Sequence, residues 1–544
     1  MIVNLRPHTT AHWRGERPRL LSTSSDWADA LARVGQPLCI VRTPEGLAAA
    51  EGGEVVLGGG AGGGLPVVAL VPAQSVGELG DPGFRRDHGL RFAYVAGAMA
   101  NGIASVELVE AMGRAGMIGF FGAAGLTPAT IEAAIDRLEA GLGDRPWGSN
   151  LIHSPYETGL ESAVVDLYLR RGVRRVSASA YLAMSLAVVR YRVAGIHRVA
   201  DGTIVTPNHV FAKVSRVEVA EKFLAPPPDA MLVALVEQGH ITAAQAELAR
   251  QVPVAAELTV EADSGGHTDN RPALTLLPAM IALRDRMQAQ YPGGVRLRVG
   301  AAGGIATPWA AAAAFAMGAD YILTGSVNQA CREAGTSDTV RKALAEADQA
   351  DVAMAPAADM FEMGVELQVL RRGTLFAMRA RKLYELYRAW PSLEAIPAGE
   401  RLKVEQTIFR APLDTIWAET RAFWAGRDPA QVELAERDPK HRMALVFRWY
   451  LGLSSRWANR GEPGRELDYQ IWCGPAMGAF NSWARGSVFE PWEQRRVVPI
   501  ALNILHGAAV LTRLASLRSQ GVALEPPFVD LHPRPVAELE EVLQ

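Results

Sequence analysis

Arg298-Val-Gly-Ala-Ala-Gly-Gly-Ile-Ala-Thr-Pro308 runs out of an apolar stretch and into an alanine-rich one. Thr307 suits the cap of a helix and Pro308 its first turn, so the segment reads strand, glycine turn, helix. Gly300, Gly303 and Gly304 permit close approach of backbone to an anion. Just downstream, another apolar run at 321–323 ends in Thr324-Gly325-Ser326. Glycine turns after two successive strands describe the phosphate site of a (β/α)8 barrel.

The flanking sequence repeats that rhythm. Apolar runs at 92–96, 116–121, 147–152, 173–177, 210–214, 254–260 and 295–299 precede the one at 321–323. Stretches with helical spacing lie between them, at 105–115, 127–140, 158–171, 182–194, 274–289 and 307–317. Count and size fit an α/β chain with a TIM barrel over 89–350, a doubly wound sheet being the alternative. An insertion at 225–251, opening Ala-Pro-Pro-Pro-Asp, reads as a helical hairpin over the barrel mouth. Residues 1–88 read as a small β-rich segment. Residues 351–544 read as a helical C-terminal extension, with eight of the twelve tryptophans between Trp390 and Trp492. Those tryptophans suit a helical core or an aromatic-lined interface. The run Gly58-Gly-Gly-Ala-Gly-Gly63 imitates a dinucleotide fingerprint. It leads into a strand-like stretch, Leu65-Pro-Val-Val-Ala-Leu-Val71, and not into a helix, so it reads as a hairpin loop.

Composition narrows the function classes. Lys+Arg is 55 and Asp+Glu is 58 in 544 residues, a net charge of −3, which excludes binding nucleic acid by bulk charge. A hydrophobic fraction of 49% excludes wholesale disorder. Cys39, Cys331 and Cys473 form no pair or framework, which favours a reducing compartment. The first residues carry no signal pattern, and the apolar stretch at 309–319 is too short to span a bilayer. The expectation is a cytoplasmic protein without a membrane segment.

Chemistry concentrates in Glu261-Ala-Asp-Ser-Gly-Gly-His-Thr-Asp-Asn-Arg-Pro272, after the sixth run. Apolar packing does not require acid, Gly-Gly, His and Arg in one loop. His267 suits a hydrogen-bond donor, general acid or substrate clamp. Glu261 and Asp263 have no further ligand at metal spacing, so no metal is expected. Other strand ends supply Gly97, Ala98, Met99 and Asn101, then Asn150 and His153. Ser177, Ser179 and Tyr181 come next, then Lys213 and Ser215. Small residues near 98 suit a flat ring, and Lys213 suits negative charge developing on a cofactor.

Together these residues resemble the flavin-dependent nitronate monooxygenase superfamily, through Gly265-Gly266-His267, Ala302-Gly303-Gly304-Ile305 and Gly325-Ser326. A closer resemblance is to the PfaD family. These are trans-acting enoyl reductases of polyunsaturated fatty acid synthases and of polyketide synthases with trans-acting acyltransferases. Three strings carry it: 261–272, Thr324-Gly-Ser-Val-Asn-Gln-Ala330, and Asp468-Tyr-Gln-Ile-Trp-Cys-Gly-Pro-Ala-Met-Gly-Ala-Phe-Asn481.

The resemblance implies FMN as cofactor and NADPH (or NADH) as reductant. The substrate would be a 2,3-enoyl thioester on an acyl carrier protein of the synthase. It implies that Gly303, Gly304, Gly325 and Ser326 meet the FMN phosphate. Ala98, Met99, Asn150 and Lys213 would lie near the ring or ribityl chain, with Gly97, Gly265 and Gly266 giving the backbone room. His267 would be the substrate-facing acid or oxyanion donor. With no separate NADPH domain in the sequence, ping-pong kinetics are expected. A nitronate monooxygenase-type oxygenase and a non-catalytic synthase subunit are the alternative readings. Arg170, Arg171, Arg174 and Arg175, or Arg371, Arg372, Arg379 and Arg381, are candidate docking cations, though each set also suits a solvated helix face. A homodimer is an open arrangement.

Overall fold

A computed structural model describes residues 11–15, 24–58, 64–153, 158–523 and 530–543. The glycine run at 59–63 lies outside the described residues. Eight parallel strands close into a barrel in chain order: Tyr94–Ala96, Ile118–Phe121, Gly148–Ile152, Arg175–Ser179, His209–Val214, Glu257–Glu261, Arg298–Ala302 and Tyr321–Thr324. The eighth pairs with the first through Leu323 opposite Val95, which completes the cylinder. The sequence therefore reads correctly as a TIM barrel and not as an open sheet. Thr307 caps the helix Pro308–Ala316 by accepting from Ala310 N, with the proline in its first turn.

The floor of the barrel is aromatic. Helix Pro82–His88 inserts Phe84 from below, stacked on Tyr321 at 4.5 Å, with Phe120 and Phe211 beside it. This packing corrects the expectation for Gly300. A Cβ there would lie 2.1 Å from the Tyr321 ring, so Gly300 makes room for the plug and not for a ligand.

Around the barrel, the expected N-terminal layer is a five-stranded sheet ordered Gly46–Ala50, Leu38–Thr43, Leu65–Val71, Ala11–Arg14, Glu54–Leu57. The expected insertion is a helix pair, Asp229–Glu237 and Ala243–Ala249. It packs on helix Leu186–Val193 and does not cover the mouth. The reason is topological. It comes after the helix Val217–Leu224 and leads into the sixth strand, so it sits at the end where strands begin.

The C-terminal third is helical as expected, and residues 355–451 pack an apolar core of their own. Its last long helix, Val497–Ser519, packs on Pro308–Ala316, the seventh barrel helix, and on Val106–Arg114, the first. That is the place of the eighth helix, which leaves residues 325–496 as an insertion between the eighth strand and its helix. By length and composition alone this helix is apolar enough to cross a membrane, with mean hydropathy 1.6 in its most apolar window. Of that window 72% is buried, because barrel helices cover one side and helix Ser24–Ala32 another. The insertion also contains a β-hairpin, Val352–Pro356 with Glu366–Leu370, among its helices.

Candidate active site

Gly97, Ala98, Met99, Asn150, Lys213, Gly265, Gly266, His267, Gly303, Gly304, Gly325 and Ser326 all gather at the ends where barrel strands finish. They succeed or close the first, third, fifth, sixth, seventh and eighth strands. A (β/α)8 barrel does its chemistry at this face.

Lys213 Nζ donates to the Glu261 carboxylate at 2.7 Å across adjacent strands, and Ser264 Oγ donates to the same carboxylate at 3.1 Å. This pair fixes a cation within the mouth. Asn150, 6% exposed, donates from Nδ2 to Ser177 O at 3.0 Å. Asp269 accepts from Ser215 Oγ at 2.6 Å and from Arg216, whose guanidinium holds its carboxyl down to about 2. Asn101 is engaged with the insertion. Its Nδ2 donates to Ser455 Oγ at 3.0 Å, so it ties the first strand end to the insertion.

The His267 loop is clamped from outside the barrel. Gly266–His267 form a short antiparallel ladder with Glu366–Leu370. Gln368 Nε2 donates to Asp263 at 2.8 Å and to Ser264 O at 2.7 Å. His267 Nε2 meets Asp359 Oδ1 at 3.1 Å. Burial opposes the charged ring, but the Asp359 charge and hydrogen bond outweigh it, so the His267 pKa is raised.

The glycines divide by what a side chain would meet. At Gly97 a Cβ would fall 2.6 Å from Leu323, and at Gly303 2.6 Å from the Ala262 backbone. At Gly265 it would lie 2.8 Å from Cys473 N, so that glycine lets the loop meet the 468–481 segment. Gly304, at φ +76°, and Gly325 have nothing within 4 Å of such a Cβ. Two adjacent strand ends therefore present bare backbone to open space, which suits a phosphate.

Sequence reasoning missed Asp359, Gln368 and the buried Glu161. Glu161 accepts from Tyr181 Oη at 2.8 Å, lies 2.9 Å from His153 Nδ1, and also bonds Ser185. Asp359 and Gln368 sit about a hundred residues from their partners with no motif around them, whereas His153 and Tyr181 were visible as strand-end polar residues. The candidate docking cations are engaged within the chain. Arg170 and Arg171 bond Glu132, with Asp136 and Glu139 also held by Arg171. Arg174 bonds Asn208, Arg175 bonds His88, and Arg379 bonds Asp468.

At the opposite end of the barrel a recess of about 520 Å³ is lined by Asp81, Arg192, His209, Glu257 and Arg298. His88, His209 and Glu257 place donor atoms within 4.8 Å of one another there. Arg298 Nη1 lies 3.3 Å from Glu257, and Arg175 Nε 3.4 Å from His88 Nδ1. Guanidinium groups thus already balance the carboxylate, and they disfavour a metal cation.

Comparison with known proteins identifies relatives of this chain. Residues 88–380 match the family model described as nitronate monooxygenase. Residues 390–469 match the inserted helical domain of acyl-carrier-protein S-malonyltransferase. The chain is 48% identical, over 87% of its length, to a polyunsaturated fatty acid synthase subunit of a Thraustochytrium species, covering 32% of that protein. It is 46% identical, over 82% of its length, to polyketide biosynthesis protein PksE of Bacillus subtilis, covering 57% of it. Among solved structures, the enoyl reductase domain of MlnA, from the macrolactin biosynthesis cluster of Bacillus amyloliquefaciens, is 37% identical with a TM-score of 0.78. That likeness covers 81% of this chain and 100% of the domain. The chain belongs to the nitronate monooxygenase family, on the PfaD branch whose three strings it carries around the barrel mouth.

Proposed function

We propose that this protein is a flavin-dependent enoyl reductase that reduces the 2,3-double bond of acyl thioesters carried by an acyl carrier protein. It would act within a polyketide or polyunsaturated fatty acid synthase. One observation carries the reading: the likeness to the MlnA enoyl reductase domain spans all of that domain and extends well beyond the family's barrel. The chain spans only about a third of the synthase subunit it matches first, so carrier protein and synthase are part of the proposal.

The mouth fits FMN. The open backbone at Gly304 and Gly325, with Ser326 beside it, would take the phosphate, and Ala98, Met99 and Asn150 would flank the ring system. A bound flavin would supply the hydride chemistry between NAD(P)H and the enoyl group. The protein's own part is charge and proton placement. Lys213, held by Glu261, keeps a cation where negative charge accumulates. His267 holds the proton for the α-carbon or supports the thioester oxygen.

The test is an absorbance spectrum of the purified protein, followed by paired assays. Flavin bands with NAD(P)H consumption that requires an enoyl thioester support the proposal. Oxygen uptake with a nitronate and no response to enoyl thioester would favour an oxygenase. A protein that does not bind flavin would point to a non-catalytic subunit.

A further inference from the structure

The hairpin that clamps His267 does two things at once. Its strand Glu366–Leu370 pairs with the His267 backbone, with His267 opposite Leu367. Its turn, between Val352–Pro356 and Glu366–Leu370, carries Asp359 to the His267 side chain. Ala357 N donates to Val365 O at 2.9 Å and closes the base of the turn. Arg448, on helix Pro439–Arg460, reaches Glu362 at 3.3 Å and pins the turn to the helical insertion. Backbone and ring are therefore held by one rigid element that the barrel itself does not supply.

We propose that Asp359 is the positioning residue for His267, binding the ring through Nε2 and leaving Nδ1 as the nitrogen that hands a proton to the substrate. This rests on the enoyl reductase reading given above. Among the described residues His267 Nδ1 makes no hydrogen bond. In the step, the Nδ1–H bond breaks as the C–H bond at the α-carbon forms. The imidazolium becomes neutral imidazole, Asp359 stays a carboxylate, and water returns the proton. Four other charged groups bear on the pair. Lys213 opposes the ring's charge and Glu261 favours it, while Arg448 supports the Asp359 carboxylate and is itself offset by Glu362. The sign is set by Asp359, which favours the protonated ring. Activity that needs this proton falls as pH rises through the His267 pKa, and loss of Asp359 moves that fall to lower pH.

The experiment uses the full-length flavin-loaded protein with Asp359→Asn, and Asp359→Glu as the conservative variant. His267 is titrated by NMR of its labelled ring, and kcat and KM are measured across pH. In Asp359→Asn the His267 pKa is expected to fall by on the order of one unit. The kcat is expected to fall on the order of a hundredfold, with KM and flavin content within about twofold. Asp359→Glu should recover part of both changes. Asp359→Asn should cost nothing further in a His267→Ala background. An unchanged titration and unchanged kcat in Asp359→Asn would overturn the proposal, as would a loss of kcat matched by equal loss of flavin. If the unsubstituted protein reduces no enoyl thioester, the function reading fails, and the His267 titration still decides whether Asp359 controls the ring.

Discussion

Two glycines that look alike in the sequence do opposite work. Gly325 leaves open space where a Cβ would stand, with nothing within 4 Å of it. Gly325→Ala should therefore keep the unfolding temperature but weaken FMN binding at least tenfold, as read by flavin fluorescence on titration. Retained affinity would remove Gly325 from the phosphate site. Gly265→Ala should behave in reverse. Its new methyl meets Cys473 N at 2.8 Å, and overpacking of this kind costs about 1–3 kcal/mol. It should lower the unfolding temperature first, and an unchanged temperature would contradict the packing role. Sequence alone could place both glycines at strand ends, because strand-turn-helix punctuation is local. It could not separate them, because the atoms that distinguish them come from Cys473 and from empty space. For the same reason His267 was legible and Asp359 was not: a Gly-Gly-His loop is a local pattern, whereas a partner 92 residues away is set only by hairpin pairing.

At the scale of elements, the insertion joins its apolar core to one buried carboxylate with several partners. Asp468 is fully buried and bonds Arg410 at 2.9 Å, Arg465 at 3.1 Å, Tyr450 Oη at 2.9 Å, and also Arg379. These partners come from the helices Phe376–Ala389 and Pro439–Arg460 and from the turns between elements. Asp468→Asn would leave three guanidinium groups around a neutral amide, and breaking a buried pair costs about 3–5 kcal/mol. A clearly lower urea midpoint is the expected outcome, and an unchanged midpoint would show the cluster to be dispensable. The strings at 261–272, 324–330 and 468–481 now have a shared structural reason. The first and third meet directly, with Gly474 packed against Ser264 and Gly265, and the second opens the insertion that brings them together. The barrel strands were legible because each is a short apolar run at regular spacing. The ladder of Gly266–His267 was not, since two residues carry no period.

At the scale of the molecule, the C-terminal third departs furthest from its composition. Its tryptophans and helical spacing mark a domain beyond the barrel, but its final helix closes the barrel wall. Fourteen residues of that helix are buried, among them Ile500, Ile504, Leu505, Val510 and Leu514. At about 1.5–3 kcal/mol for each large apolar side chain, no barrel of marginal stability survives its removal. A chain ending at residue 496 should aggregate on expression. A monomeric, flavin-loaded fragment of that length would disprove the eighth-helix assignment. Sequence reading could not see this because a barrel helix normally follows its strand directly, and here residues 325–496 intervene. That intervention is also what equips the barrel mouth: the segment after the eighth strand delivers Asp359 and Gln368 to the His267 loop.

The destination of the hydride decides the function. The decisive measurement is mass analysis of the acyl product after incubating the flavin-loaded protein with a carrier-bound 2,3-enoyl thioester and NAD(P)H deuterated at its transferable position. Before the label washes out of reduced flavin, the saturated acyl chain should carry deuterium at its β-carbon and solvent hydrogen at its α-carbon. An unreduced acyl chain, with oxygen consumed only when a nitronate is supplied, would contradict enoyl reduction.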